Sequence, residues 1–187
     1  MMEGESSLTL LLGGARSGKS KLGAALIEAS GGPAGVIATA EALDEEMAAR
    51  IERHRSARPD DWLVVEEPTD LEDALNGFDS GTAVLVDCLT LWVSNLMGAD
   101  LEDTEIERRA AAAAGVAAAR GGLTVVVSNE VGSGIVPVNE MARRYRDLLG
   151  MVNAIWADVA DRVLLTVAGG VIPVSRIGEV VDRGSDG

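Results

Sequence analysis

The sequence has very few of the residues from which disulfides and zinc sites are made. Of its 187 residues, one is a cysteine, Cys88, and one is a histidine, His54. A single cysteine excludes a disulfide within the chain and a cysteine-based zinc site, and the single histidine argues further against zinc. Lysine is also scarce: the chain has only Lys19 and Lys21, and arginine supplies the rest of the positive charge.

Long apolar runs and net positive charge are absent as well. No stretch approaches the ~20 uncharged apolar residues that a transmembrane helix needs, and the first residues are acidic. We therefore expect no membrane insertion, no signal peptide and a cytoplasmic location. The net charge of −14 at pH 7 argues against nucleic acid or an anionic membrane as a partner. It does not argue against a local phosphate site, since physiological salt screens charges over about 8 Å.

The most specific pattern that is present is G-x-x-x-x-G-K-S, at residues 13–20. It follows the apolar run Leu8–Leu12 and precedes a helix-like segment, Lys19–Ala29, which is the order of a phosphate-binding P-loop. In such a loop, glycines let backbone N–H groups approach phosphate oxygens, the lysine neutralises the β- and γ-phosphates, and the serine hydroxyl holds Mg²⁺. The pattern predicts a nucleoside triphosphate site formed by Gly13, Gly14, Ala15, Arg16, Ser17, Gly18, Lys19 and Ser20.

Short apolar runs alternate with helix-like segments along the chain. Strands are predicted at residues 8–12, 35–38, 62–65, 83–86, 123–127 and 162–167, with an edge strand at 171–174. Helices are predicted at residues 19–29, 43–57, 71–75, 91–96, 105–120 and 138–160. Continuous apolar strands suit a parallel sheet that is buried on both faces by helices. We therefore predict the α/β class, with one RecA-like P-loop domain over residues 1–187, a mostly parallel central sheet flanked by helices, and a disordered tail at 184–187.

Carboxylates follow two of the predicted strands, at the edge of the sheet where open α/β folds bind ligands. Asp87 follows the run 83–86 as in the Walker B arrangement, where a carboxylate binds Mg²⁺ directly or through water. Its alternative role is to cap the next helix. Glu66 has a similar place and a weaker case, with Glu67 as the exposed member of the pair.

The segment Asn129–Gly134 is either a loop over the nucleotide or a plain glycine-rich connection. The guanine-reading N-K-x-D motif is absent, which excludes an ordinary signalling GTPase.

The one histidine lies within the predicted helix 43–57. Met47, Ile51 and His54 are spaced at i, i+4 and i+7, so they share one face, and a histidine on such a face is commonly a packing residue. A neutral imidazole is also a nucleophile toward phosphorus. The cations around it either bind a triphosphate or form salt bridges with Glu45, Glu46 and Glu52; they are Arg50, Arg53, Arg55 and Arg58.

These segments together resemble the bifunctional adenosylcobinamide kinase/adenosylcobinamide-phosphate guanylyltransferase family of cobalamin biosynthesis. The similarity runs from Leu8 to about Gly169. It is carried by the P-loop, by residues 37–40, by residues 44–51 with His54, and by residues 128–137.

The resemblance implies two reactions: phosphorylation of the aminopropanol hydroxyl of adenosylcobinamide by ATP or GTP, and transfer of GMP from GTP to adenosylcobinamide phosphate. In the family, GMP is carried on a histidine, which falls on His54. Catalysis is then expected from His54 and Lys19, with Mg²⁺ on Ser20 and Asp87. The implied nucleotide-binding residues are the P-loop with Ala38, Thr39, Ala40, Arg55, Ser56, Ala57, Arg58, Glu66 and Asp87.

The family also implies a homo-oligomer, best known as a trimer. Two alternatives stay open: a P-loop small-molecule kinase without guanylyl transfer, and a non-catalytic switch protein that responds to a nucleotide. The histidine separates the first two, since only guanylyl transfer needs it as a carrier.

Overall fold

Seven strands form one sheet in the computed structural model, which describes residues 7–42, 44–56, 58–177 and 180. The strands are β1 Ser7–Gly13, β2 Ala34–Ala38, β3 Leu63–Glu66, β4 Ala83–Asp87, β5 Leu123–Val127, β6 Arg162–Val167 and β7 Gly170–Val174. The helices are α1 Lys19–Ala29, α2 Glu45–Ser56, α3 Leu71–Asn76, α4 Leu89–Gly98, α5 Asp103–Ala119 and α6 Glu140–Val159.

The strand order is β3-β2-β4-β5-β1-β6-β7, and every pair is parallel except β6 with β7. The carboxyl ends of the first six strands therefore lie along one edge of the sheet. The antiparallel β7 follows β6 through a two-residue turn, in which Ala168 and Gly169 have φ values of 49° and 79°, as tight hairpin turns require.

The core has two layers because alternate residues of each central strand face opposite sides of the sheet. In β4, Val84 and Val86 pack in the cluster that includes residues of α3, α4, α5 and α6, whereas Ala83 and Leu85 pack in the cluster that includes Ile27 of α1. The predicted α/β class and mostly parallel sheet flanked by helices are confirmed.

Some helices and strands begin or end at residues slightly different from the predicted ones. Helix α6 begins at Glu140 because the Asn139 side chain accepts a hydrogen bond from Ala142 N at 3.1 Å, which is the contact of a helix N-cap. Strand β3 is an edge strand with mostly exposed residues, so the expectation of burial on both faces does not apply to it. The predicted tail at 184–187 lies outside the described residues, and the extent of the domain stays a prediction.

Within the described ranges, no helix has both the length and the apolar character that crossing a bilayer requires.

Candidate active site

The P-loop connects β1 to α1, as its motif predicts. Its backbone turns through left-handed conformations at Arg16 and Gly18, with φ values of 57° and 104°. Gly13 lies where β1 meets β6, and a Cβ at this position would overlap the backbone oxygen and the hydroxyl of Thr166. The glycine is therefore required for the close approach of the two strands at the start of the loop.

Lys19 folds back over this loop. Its ammonium donates hydrogen bonds to Gly13 O at 2.8 Å and Gly14 O at 2.6 Å, and the residue is 7% exposed. A buried positive charge is thus held at the N-terminal end of α1, where the helix dipole also favours an anion.

The other P-loop residues differ in how far their side chains are exposed. Ser17 is buried, and its hydroxyl shares a 2.7 Å hydrogen bond with that of Thr166, which ties the loop to β6. Ala15 and Arg16 are exposed, while Ser20 is half-buried in the first turn of α1.

Three of the predicted site residues meet at the end of β4. Arg58 Nη2 lies 3.0 Å from Asp87 Oδ2, and His54 Nδ1 lies 3.7 Å from the same oxygen. The Arg58 and Asp87 side chains are each only 12% exposed, whereas that of His54 is 39% exposed. The imidazole is thus held beside a shielded ion pair and is still open to solvent on its other side.

Helix α2 brings His54 to this place. The Asp44 side chain accepts a hydrogen bond from Met47 N at 2.7 Å at the start of the helix, and His54 lies in the last turn. Met47, Ile51 and His54 are all half-buried, so they share the inner face as predicted. The His54 side chain is 39% exposed, which argues against a pure packing role.

The chain is similar to known proteins over most of its length. The profile of the family described as cobinamide kinase / cobinamide phosphate guanyltransferase matches residues 9–174. The chain belongs to this family. The predicted membership, and with it the assignment to an enzyme family, is confirmed.

Several curated relatives are similar over nearly their whole length. The bifunctional adenosylcobalamin biosynthesis protein CobP of Pseudomonas aeruginosa is 42% identical over 88% of this chain and 95% of its own. The proteins named CobU in Escherichia coli and Salmonella typhimurium are each 39% identical, over 87% of this chain and 96% of theirs. Among solved structures, one described as an ATPase domain aligns with a TM-score of 0.48 at 10% identity, over 87% of this chain and 69% of that domain.

The positions that the cobinamide kinase/guanyltransferase family implies lie at one edge of the sheet. They follow the carboxyl ends of β1, β2, β3 and β4 or come from α2 and the residues after it, and Ala57 lies outside the described residues. Gly13 and Asp87 end strands two positions apart, with β5 between them, which corresponds to about 10 Å at the usual strand spacing. The first residue of the P-loop and Asp87 are therefore close neighbours along this edge.

Thr39 acts from inside the protein rather than from the surface of the cleft. Its hydroxyl accepts a hydrogen bond from Cys88 N at 2.8 Å and donates one to Cys88 O at 2.7 Å, and the residue is 0% exposed. Asn95 holds the same turn by donating to Thr39 O at 2.7 Å. Thr39 therefore fixes the backbone next to Asp87. Ala38 and Ala40, on either side of it, are half-buried.

The assignment of Glu67 as the exposed member of the glutamate pair is wrong. Glu66 is the exposed one, at 65%, where it pairs with Arg55 at 3.5 Å. Glu67 is half-buried and accepts hydrogen bonds from Thr69 N and Asp70 N, both at 2.8 Å. Partial burial raises the pKa of the Glu67 carboxyl, but these backbone hydrogen bonds outweigh burial and bring the pKa below its usual value. The ionised Glu67 thus organises the turn before α3.

Two of the arginines near His54 pair with carboxylates at strand ends. Arg55 contacts Glu66 and Arg58 contacts Asp87, and within the described residues no ion pair joins these arginines to the helix glutamates that the sequence offered as partners. Both arginines therefore point toward the ligand edge of the sheet.

The segment after β5, which the residues alone left undecided, lies directly against the P-loop. Glu130 N donates to Gly13 O at 3.1 Å, and Asn129 N donates to the Thr90 hydroxyl at 2.8 Å. The Ser128 hydroxyl is buried without a hydrogen-bond partner among the described residues. The contact with Gly13 places this segment beside the P-loop, which favours the first of the two interpretations that the residues left open.

The donor set suits Mg²⁺ better than a soft metal. Ser20 and Asp87 offer a hydroxyl and a carboxylate oxygen, and the described residues contain no cluster of three or more histidine, cysteine or acidic side chains. Mg²⁺ is usually held by one or two protein oxygens, with phosphate and water completing its shell. Both contacts of Asp87 described above use Oδ2, which leaves Oδ1 as the oxygen suited to a metal.

Cys88 is not a competing nucleophile. Burial, together with the negative charge of Asp87, raises the pKa of its thiol above the ordinary value. The thiol therefore stays protonated at neutral pH, and only the thiolate is strongly nucleophilic.

Proposed function

We propose that this chain phosphorylates adenosylcobinamide with a nucleoside triphosphate and transfers GMP from GTP to adenosylcobinamide phosphate, with His54 as the carrier of GMP. The observation that carries the proposal is the position of His54, which is half-exposed beside Asp87 and Arg58 at the same edge of the sheet as the P-loop. A packing histidine needs neither the buried ion pair nor the solvent-exposed side.

In the kinase reaction the substrate hydroxyl attacks the γ-phosphorus, the nucleoside diphosphate leaves, and the hydroxyl proton is released. The P-loop backbone and Lys19 hold the β- and γ-phosphates, so the protein contributes mainly positioning and charge stabilisation. Mg²⁺, when held by Ser20 and Asp87, would neutralise charge on the phosphate oxygens.

In the guanylyl reaction His54 attacks the α-phosphorus of GTP and pyrophosphate leaves. The phosphate of adenosylcobinamide phosphate then displaces the histidine, giving adenosylcobinamide-GDP. The histidine thus divides the reaction into two displacements, each easier than a direct attack of one anion, adenosylcobinamide phosphate, on another, GTP. Arg55 and Arg58 lie where they can offset the charge that develops on the phosphates.

The test uses GTP labelled with ³²P at the α-phosphorus, Mg²⁺ and pyrophosphatase, followed by acid and base treatment of the protein. We expect the wild type to acquire label that is lost in acid and kept in base, as a phosphorus–nitrogen bond requires. His54→Asn should acquire none, while it still transfers the γ-phosphate of ATP to adenosylcobinamide.

The two halves of the proposal fail separately. A wild type that takes up no label but phosphorylates adenosylcobinamide would be the kinase without guanylyl transfer. A wild type that binds the nucleotide and turns over neither substrate would be the switch protein.

We also propose that the chain forms a homo-oligomer, a trimer by its resemblance to the family. The support from the structure is that large apolar side chains are exposed in two segments, residues 135–141 and 171–177. The measurement of the molecular mass is described in the Discussion.

A further inference from the structure

We propose that Asp87 is the positioning residue of His54, which it holds through Nδ1, so that GMP is bonded to Nε2. This inference rests on the proposed guanylyl transfer and specifies which nitrogen performs it. The sequence suggested that Asp87 binds a metal or the nucleotide, or caps the next helix, and none of these roles concerns His54.

The ring nitrogens of His54 have different surroundings. Nδ1 lies 3.7 Å from Asp87 Oδ2, which is too long for a hydrogen bond but close enough for the charge of the carboxylate to act on the ring. A lone pair on Nδ1 would face a negative oxygen and be repelled, whereas an N–H would be attracted. The preferred neutral tautomer therefore carries its hydrogen on Nδ1, and the lone pair, which is the nucleophile, is on Nε2.

The carboxylate that sets this preference is itself fixed. Arg58 donates to the same oxygen at 3.0 Å, and the two side chains are 12% exposed. The backbone on both sides of Asp87 is held by Thr39, whose amide donates to Asp87 O at 3.2 Å and whose hydroxyl bridges Cys88 N and Cys88 O. A carboxylate fixed in this way can orient an imidazole that lies at the end of a largely exposed helix.

The same contact stabilises the product of the first displacement. The lone pair of Nε2 forms the bond to the α-phosphorus as the bond from that phosphorus to the α–β bridging oxygen breaks. Pyrophosphate leaves with this oxygen, and no proton leaves the ring. The ring then has both nitrogens substituted, with hydrogen on Nδ1 and phosphorus on Nε2, and is positively charged. That charge develops next to Asp87, which favours the guanylylated form.

The first experiment reads the tautomer without turnover. The protein is produced without a histidine tag and labelled with ¹⁵N-histidine. Because His54 is the only histidine, its NMR spectrum then shows the two ring nitrogens of that residue alone. At about pH 8.5, where an ordinary imidazole is neutral, we expect the wild type to have its hydrogen on Nδ1. Asp87→Asn should shift the ring toward the form with hydrogen on Nε2, the commoner form of free imidazole, and Asp147→Asn, an exposed carboxylate on α6, should not.

The second experiment identifies the bond. The same labelled protein is incubated with GTP, Mg²⁺ and pyrophosphatase, and the ring nitrogen coupled to ³¹P is assigned. We expect phosphorus on Nε2. Asp87→Asn should also guanylylate more slowly, on the order of 10²- to 10⁴-fold, the range seen when a histidine loses the partner that fixes its tautomer.

A slower rate alone would fit a metal ligand equally well, so the tautomer and the bonded nitrogen decide. Phosphorus on Nδ1, or a wild-type ring with its hydrogen on Nε2, overturns the inference even if guanylyl transfer is active. Absence of any GMP on His54 overturns the proposed function instead. In that case the tautomer measurement, which needs no turnover, still decides whether Asp87 positions the ring, provided that circular dichroism shows the Asp87→Asn and Asp147→Asn variants to be folded.

Discussion

Lys19 and Lys21 are the only lysines of the chain, and they differ in burial and in their position relative to the P-loop. Lys19 is buried over the P-loop with its ammonium on two backbone carbonyls, whereas Lys21 is exposed on α1. Since a hydrogen bond to a charged group contributes about 1.5–3 kcal/mol, Lys19→Ala should weaken GTP binding by roughly 10- to 100-fold.

Titration calorimetry with GTP and Mg²⁺ measures this loss. Lys21→Ala is the matched control and should bind within about twofold of the wild type, because an exposed charge is screened by salt. Equal affinities in the two variants would contradict the assignment of Lys19 to the phosphates, provided that circular dichroism shows both to be folded.

Individual site residues could be predicted from the sequence where their contacts are local in the chain. The P-loop was predictable because its spacing and both flanking elements are local in sequence. The exposure of Glu66 rather than Glu67 was not, since it depends on the turn that Thr69 and Asp70 form. The clamp of Thr39 on Cys88 joins residues 49 positions apart, and no local pattern encodes such a contact.

At the scale of elements, α2 depends on the residue that precedes it. Asp44 caps the helix through Met47 N, and the helix is only half-buried even on its inner face. Asp44→Ala removes a contact that contributes about 0.5–2 kcal/mol to a helix. Because α2 carries His54, we expect guanylylation of His54 to slow by about two- to tenfold while the melting temperature changes little.

Asp70→Ala is the matched control, because Asp70 caps α3 in the same way through Asp73 N at 3.1 Å. Helix α3 buries Leu71 and Leu75 in the core and carries no site residue. This variant should lower the melting temperature by roughly 2–4 °C per kcal/mol lost and leave the guanylylation rate unchanged. If Asp70→Ala slowed guanylylation and Asp44→Ala did not, α2 would not set the position of the nucleophile.

The elements themselves were largely predictable from apolar runs, and their order in the sheet was not. The segments that became β1, β4 and β5 are read directly as continuous apolar strands. The insertion of β5 between β1 and β4 sets the separation between the P-loop end of β1 and Asp87 at the end of β4, yet it results from packing of the whole sheet rather than from any one segment.

At the scale of the whole molecule, charge and apolar surface act against each other. Each chain carries a net charge of −14, so three associated chains repel one another strongly at low salt. Apolar side chains such as Val138, at 97% exposed, and Ile172, at 54%, favour burial between chains. A trimer held by such contacts should therefore become more stable as salt rises, because salt screens the repulsion and leaves the apolar term.

Sedimentation equilibrium in about 10 mM and about 500 mM NaCl measures this balance. We expect a mass three times the 19.4 kDa of one chain, with tighter association at the higher salt. Val138→Glu and Ile172→Glu each test one exposed segment, and at least one of them should dissociate the trimer, since a buried unpaired charge is costly. A mass of one chain at both salt concentrations would refute the oligomer, and a trimer that dissociates as salt rises would mean that ion pairs, rather than these apolar residues, form the interface.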